Sequence, residues 1–511
     1  MECDASPLFE PVLWEGSGFK ILDESLIPER IEYIPVSEIP QALQAVRDMR
    51  TRAFGQVLTF LYSGALIAQG YEGKEPEPLQ RSIEEMIQQF CAARPTFDFR
   101  GLGRLLSQSF IELPAATRPG GWIASQARAF AAQIVKARQR RAERAAAILP
   151  KAARVLTHCN ISGELVAIAR TCREMGNEIA VIATETRPYL QGSRLTAWEL
   201  SRAGIPVSLI PDCAVAQVMA RGKVDAAIVG SDRCTQNGDV INKVGTYPLA
   251  LMAKAYRVPF YALVQNPGPL NRAEEVTIEE RPARELLAFQ GQPLLSAGSA
   301  RLAGRYPAFD VTPADLIRNL IGFDGMFTPE SFREKYLQKP LAASLPRSTP
   351  AEKYLLVYGL PKRDSYSFLL HALKAEQADR ILVPEMRPGL WGAQVVAREL
   401  LRREAPTTLI SDNMMGALFA QRQIKQLYLF YNGLSEGGPT GICGSLLAAG
   451  LARAHGVPVE LLEADSAAAS SIDRDVSTFL GHKVIPTGVS VYPVDPEIIP
   501  WQLLNAPQGA A

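Results

Sequence analysis

Two stretches of this chain, 200 residues apart, carry nearly the same sequence, and no other feature constrains the fold as strongly. A shift of 200 lays E-T-R-P-Y-L-Q-G from Glu185 over E-M-R-P-G-L-W-G from Glu385. The same shift sets R-V-L-T-H-C-N (154–160) over Y-L-L-V-Y-G-L (354–360), Ala197-Trp-Glu-Leu200 over Ala397-Arg-Glu-Leu400, and Leu209-Ile-Pro-Asp212 over Leu409-Ile-Ser-Asp412. One residue is then lost, and Val258-Pro259 answers to Val457-Pro458. A constant register over some 80 positions marks a duplicated unit.

The texture of each copy says what the unit is. From Arg154, short apolar runs (V-L-T-H, I-A-V-I-A-T, V-S-L-I-P, A-A-I-V-G, P-F-Y-A-L-V) alternate with helical patterns such as 192–204. Alternation of this kind predicts an α/β fold, a parallel sheet with helices on both faces. Ligands then gather beyond the carboxyl ends of the strands, here at 158–160, 184–188, 211–212 and 231–233. Before 150 the pattern is helical: Ile39 to Ala68, Leu79 to Ala93 and Gly121 to Leu149. That region has no second copy. Residues 331–350 contain prolines and read as a linker.

The duplication also serves as an internal control. Cys159 becomes Gly359, Gln191 becomes Trp391, Asp232 becomes Asn432, and the Asn242-Lys243 pair finds no counterpart. Residues shared by the copies are expected to be scaffold. Those that differ are polar or reactive and stand at strand ends, as expected if only the first copy performs chemistry. Alone, Cys159 would read as a small buried hydrophobe and Asp232 as a helix cap; their loss in the second copy argues for function. A thiol beside positive charge is expected to move toward neutrality. The run N-G-D-V-I-N-K-V-G-T (237–246) precedes a helical segment, so its amides and lysine are expected to cradle a phosphate.

Several classes are excluded. The formal net charge of +1 gives no footprint for nucleic acid or an anionic membrane. The seven cysteines lack Cys-x-x-Cys spacing and the four histidines form no His-x3-His face, so neither a disulfide framework nor a metal site is expected. No apolar run is long enough to span a bilayer, and the acidic N-terminus does not read as a secretory signal. The expectation is a cytoplasmic globular protein without metal or cofactor.

Certain segments carry a resemblance. L-W-E, A-V-R-D-M, R-P-T, L-T-H-C-N, E-T-R-P-Y-L-Q-G-S-R-L-T-A-W-E-L, G-S-D-R-C-T-Q-N-G-D-V-I-N-K-V-G-T and Y-P-A-F-D-V-T-P-A-D-L-I, across residues 10 to 330, resemble the methylthioribose-1-phosphate isomerase family, which includes regulatory subunits of the translation-initiation guanine-nucleotide exchange factor. The resemblance implies a helical N-terminal domain with short leading strands (1–148) and a Rossmann-like catalytic domain (149–330). A degenerate second Rossmann-like domain and tail (351–511) then follow the linker. It further implies conversion of 5-methylthioribose 1-phosphate, or a related pentose or deoxypentose 1-phosphate, to the ketose in methionine salvage. By position, Cys159 would be the acid/base or activating thiol and Asp232 the proton donor, with Arg52, Arg94, Gln191, Asn242 and Lys243 holding a small-molecule sugar phosphate. Relatives of this kind dimerise, so a homodimer or an intramolecular pseudo-dimer is expected. Two departures stand out: Arg-Gly-Ala-Pro-Ala-Ile-Gly of the family reads R-A-F-G-Q-V-L from Arg52, and the glycine-rich stretch after T-H-C-N is shortened. The competing reading is a non-catalytic, ligand-sensing relative of the exchange-factor subunits.

Overall fold

The computed structural model describes residues 5–95, 97–295, 300–337, 352–465, 475–494 and 496–504. Its N-terminal layer is a three-stranded antiparallel sheet (Val12–Glu15, Gly18–Leu22, Tyr33–Val36) followed by five helices, Ile39–Arg47, Phe54–Gln69, Pro76–Ala93, Phe99–Ile111 and Pro119–Ala147. The expected helix from Ile39 to Ala68 is therefore broken at residues 48–53. Met49 and Ala53 take φ of +54° and +39° there, turning the chain so that Arg52 leaves the helical core. Helix Pro119–Ala147 docks this layer on the first α/β unit. Arg138 and Arg141 both bind the buried carboxylate of Glu164, and Arg141 Nη1 donates to the Val264 carbonyl at 2.7 Å.

Each α/β unit is built on a parallel sheet. The first runs Phe260–Leu263, Ala226–Val229, Arg154–Thr157, Ala180–Thr184, Val207–Ile210, with Asn319–Ile321 and Met326–Phe327 added at one edge. The second runs Val459–Glu463, Ile424–Tyr431, Tyr354–Tyr358, Arg380–Pro384, Thr407–Ile410, the same order. The inner strands of both sheets are largely apolar and buried, as sheets covered by helices require. One continuous apolar cluster joins the two units, with helices Val215–Ala220, Thr246–Ala255, Met415–Ala420 and Ser445–His455 packed together between them.

The units are related by an approximate two-fold, and the shared E-x-R-P motif makes the joint. Arg187 binds Glu385 through two hydrogen bonds of 2.9 Å, and Arg387 returns the arrangement to Glu185 at 2.9–3.0 Å; all four side chains are buried. Asp212 accepts from the amides of Thr186 and Arg187, and Asp412 from those of Met386 and Arg387. Burial, with Glu185 nearby, pushes the Asp212 carboxyl up to about 7. Residues common to the two copies thus build the interface between them.

Two strands cross the expected domain boundary. Leu302–Gly304, from the first unit, pairs in parallel with Thr407–Leu409 at the edge of the second sheet; Ser490–Val491, from the tail, pairs with Ser208–Leu209 at the edge of the first. The correspondence continues beyond the register read from the sequence. The hairpin Ala288–Pro293 matches Thr478–Lys483, and Asp310, bound to the amides of Gly245 and Tyr247, matches Glu497, bound to the amide of Leu446. The linker expected over 331–350 begins inside a helix, Pro329–Tyr336, and residues 338–350 lie outside the described residues. Glu199, which in the first unit accepts from Ser6 of the N-terminal layer, corresponds to Glu399, which pairs with Arg402 and Arg403 near the surface instead. The second unit thereby satisfies with its own arginines the carboxylate that a helical layer covers in the first.

Among the described residues no helix is long and apolar enough to cross a membrane, and no group of three His, Cys, Asp or Glu side chains is arranged to hold a metal ion.

Candidate active site

Cys159 lies two residues past strand Arg154–Thr157 with φ of +65°, in the left-handed region that a β-carbon disfavours. Its amide donates to Thr186 Oγ1 (2.9 Å) and its carbonyl accepts from Thr196 Oγ1 (2.8 Å), which hold the turn. The second unit makes the same turn with Gly359 at φ +97°, where an added β-carbon would lie 2.4 Å from the carbonyl of Phe430. Phe430 occupies the position of Gly230 in the first unit. The first copy keeps room for a side chain and bears the backbone cost of placing a thiol there; the second copy has neither.

The neighbours of Cys159 in the T-H-C-N motif are occupied by structure. His158 is buried, its Nε2 donating to the Val244 carbonyl (2.9 Å) and its Nδ1 accepting from Thr184 Oγ1 (2.7 Å); burial lowers its pKa to about 4, so the ring is neutral. Tyr358 takes the same place in the second unit, its hydroxyl donating to the Cys443 carbonyl at 2.9 Å. Gly245 must be glycine, because its φ is +109° and a β-carbon would fall 2.7 Å from the His158 ring and 2.8 Å from Asn413 of the second unit. Asn160 is tied to Thr196 and Glu199.

Asp232 stands three residues past strand Ala226–Val229, in the loop before the short strand Arg233–Cys234. It caps no helix: its amide donates to Ile241 O and its carbonyl accepts from Gln265 Nε2. Burial raises its carboxyl above the usual range, against the opposing pull of Arg94 and Arg233. Lys243 closes strand Val240–Lys243, where the second unit, on the strand Gly438–Gly441, follows with Ile442. Its Nζ donates to the Tyr306 hydroxyl at 2.8 Å and lies over the rings of Tyr189 and Tyr306 at 5.4 and 5.0 Å. Burial pushes Lys243 down to about 8. The Cys159 thiol is itself pushed up by burial, with Lys243 and Arg52 pulling the other way. The expected fall toward neutrality is thus overturned, because desolvation outweighs the charge.

Of the remaining predicted residues, Arg52 and Arg94 lie within electrostatic reach of this centre. Arg52 turns in from the break at 48–53, held by its amide on Glu24 Oε1 (2.8 Å), and its charge reaches both Cys159 and Lys243. Arg94 Nη1 donates to Gln56 Oε1 at 2.5 Å and lies within electrostatic reach of Asp232. Gln191 is buried, and its Oε1 has no hydrogen-bond partner among the described residues; the same holds for Arg52 Nε. Asn242 Nδ2 donates to Thr246 Oγ1 at 2.9 Å. The helix-start phosphate cradle expected at 237–246 is not free, because Asp310 occupies the amides of Gly245 and Tyr247. Asn237-Gly238 simply makes the turn between two short antiparallel strands.

Sequence reasoning missed Tyr189, Glu279, Arg281 and Tyr306, and marked Gln56 only as a departure after Arg52. Gln56 is the altered residue after Arg52, and it turns out to anchor Arg94 while its Nε2 donates to Thr51 O at 2.8 Å. Its neighbour Phe54 stacks on Arg138 at 3.9 Å. Arg281 joins Glu279, Glu285 and the Tyr189 hydroxyl into a rim. The only signal for this rim was the charged run Glu279-Glu280-Arg281.

Replacing Lys243 by methionine tests how this site weighs on stability. At pH 7 the lysine is charged in both folded and unfolded chains, and the folded chain bears the cost of burying it. A displacement from 10.5 to about 8 corresponds to roughly 3 kcal/mol, offset in part by the Tyr306 hydrogen bond. Between pH 8 and 10.5 the folded lysine loses its proton first and the cost fades. Lys243→Met is therefore expected to raise the melting temperature at pH 7, with a gain that shrinks toward pH 10, while turnover is lost.

Comparison with known proteins gives this geometry its family. The model of the initiation factor 2 subunit family matches residues 57–329 and 351–480, and the chain belongs to that family. The methylthioribose-1-phosphate isomerase of Desulforudis audaxviator is 36% identical over 343 residues, covering 63% of this chain and 94% of that protein. The enzyme of the same name from Syntrophus aciditrophicus is 34% identical over 364 residues, covering 65% and 98%. Among solved structures, 5-methylthioribose 1-phosphate isomerase from Pyrococcus horikoshii superposes with a TM-score of 0.58 at 28% identity, covering 66% of this chain and 99% of its own. A translation initiation factor eIF-2B delta subunit from A. fulgidus gives 0.54 at 30% identity, covering 62% and 96%. The relatives make this chain an enzyme of the isomerase class, of mixed α/β fold.

Proposed function

We propose that the first α/β unit, with the N-terminal layer, converts 5-methylthioribose 1-phosphate to 5-methylthioribulose 1-phosphate. The observation that carries this reading is the strained placement of Cys159 at φ +65°, within electrostatic reach of Lys243, at a position that the second unit fills with glycine. The names and identities of the relatives support the choice of substrate.

The chemistry follows from the residues. Phosphate on C1 locks the anomeric carbon, so the ring needs an acid to open. Asp232, whose carboxyl burial holds above its usual range, gives its proton to the ring oxygen as the C1–O4 bond breaks. Hydrogen then passes from C2 to C1, the C2 hydroxyl gives up its proton, and a carbonyl remains at C2; Cys159 is the group placed to assist this exchange. General acid–base assistance of this kind is worth about 10²–10⁴-fold. Arg52, Arg94 and Lys243 supply cations for the phosphate dianion, and the unpartnered Gln191 Oε1 and Asn242 supply polar contacts to the sugar. The second unit, with Gly359 and Asn432, has no such chemistry.

Incubating the full chain with 5-methylthioribose 1-phosphate and following ketose formation tests the reading directly. Turnover is expected with this sugar. Folded protein that converts neither it nor ribose 1-phosphate or 2-deoxyribose 1-phosphate would leave the non-catalytic alternative standing.

A further inference from the structure

The strand that the first unit lends to the second sheet leads back into the site. Leu302–Gly304 is paired with Thr407–Leu409, and the next amide, of Arg305, donates to the Leu409 carbonyl at 3.2 Å. Arg305 Nη1 also reaches the Tyr354 hydroxyl of the second unit at 3.3 Å. Tyr306 follows immediately, fully buried, and its hydroxyl accepts from Lys243 Nζ. At its other end the strand is stapled by Arg380 of the second unit. Arg380 Nη2 donates to the carbonyls of Arg301 (2.7 Å) and Thr407 (2.8 Å), and its Nε to Thr408 Oγ1 (2.8 Å).

We propose that the second α/β unit is a working part of the first unit's site: by holding the exchanged strand it sets Tyr306, and Tyr306 sets the position of the Lys243 ammonium, whose charge acts on Cys159. Tyr306 is thus a positioning residue. The buried phenol keeps its proton, so toward the ammonium it presents an oxygen lone pair. Lys243 faces Cys159, Arg52, Arg281, Glu279 and Asp232 as well as the two tyrosine rings. Two of these neighbours are cations that repel it, so a fixed acceptor decides where it rests. A degenerate copy that has lost its own chemistry is retained on this view because its sheet edge shapes the other copy's pocket.

The consequence for turnover rests on the isomerase reading, whereas the geometric claim does not, and two readouts on the full chain separate them. One is kcat/KM with 5-methylthioribose 1-phosphate. The other is the pH profile of Cys159 alkylation by iodoacetamide, assigned to its peptide by mass spectrometry, which needs no substrate. Tyr306→Phe is expected to lower kcat/KM about tenfold, the weight of one hydrogen bond to a charged group. It should also move the Cys159 profile to higher pH, because the cation that favours the thiolate is less well held. Arg380→Met, in the other unit, is expected to shift both readouts in the same direction, and the double variant to be no worse than Tyr306→Phe alone. Should Arg380→Met fail to fold, Thr408→Val removes one arm of the staple with little change of shape. Either staple variant, folded and with both readouts at wild-type values, would overturn the proposal, and so would an unchanged Tyr306→Phe. A shifted alkylation profile in a chain that turns over no sugar would sustain the positioning claim and reject the isomerase reading.

Discussion

Replacing Cys159 by glycine, the residue the chain itself uses at 359, is expected to lower turnover of 5-methylthioribose 1-phosphate about 10²–10⁴-fold without loss of stability. A side chain at φ +65° costs on the order of 1 kcal/mol, and glycine removes that cost while adding unfolded-state entropy of similar size. Most active-site truncations leave a hole or an unpaired group. This one leaves a turn that glycine favours, bordered by the Thr186 and Thr196 hydroxyls, which bond to the backbone and remain satisfied. Steady-state kinetics and thermal unfolding on the same preparation check both halves. A glycine variant that turns over normally would remove Cys159 from the mechanism, and one that melts well below the wild type would show that the thiol is structural.

Breaking one of the reciprocal ion pairs is expected to have the largest effect on stability. Arg387→Met leaves the buried Glu185 carboxylate without its partner, and a loss of about 3–5 kcal/mol follows from stranding a charge in the interior. Arg387→Met combined with Glu185→Met removes both charges and should recover most of that loss. Denaturant unfolding of the two variants against the wild type measures the difference. If the double variant is no more stable than the single one, the pair's value lies in its geometry, in the way Glu185 and Arg387 align the two units, and not in charge compensation.

The duplication and the parallel sheets were legible because each leaves a local trace, a repeated motif or an apolar run; Cys159 and Asp232 stood out as residues that change between the copies. Glu185, Arg187 and Asp212 lay among the strand-end residues marked for inspection, and the repeat assigned them to scaffold. That Glu185 and Arg187 bind across the two-fold could not be read, because each partner is some 200 residues away. The helix-start cradle was misjudged for the same reason: Asp310, which fills it, lies 65 residues beyond Gly245. The far end of the repeat, where Asp310 answers to Glu497, was hidden by short deletions that move the register from 200 to 187. Gln56 was noticed only as a departure after Arg52; its role appears once the fold brings Arg94 to it.

The exchanged strands set a timetable for biosynthesis. The first sheet is closed at one edge by Ser490–Val491, whose partners Ser208 and Leu209 leave the ribosome 282 residues earlier. An emerging chain therefore holds its first α/β unit with an open sheet edge until residues 490–491 have been made, and contacts of such sequence separation form slowly. The two units cannot be completed one at a time: the first sheet waits for a strand that follows the whole of the second.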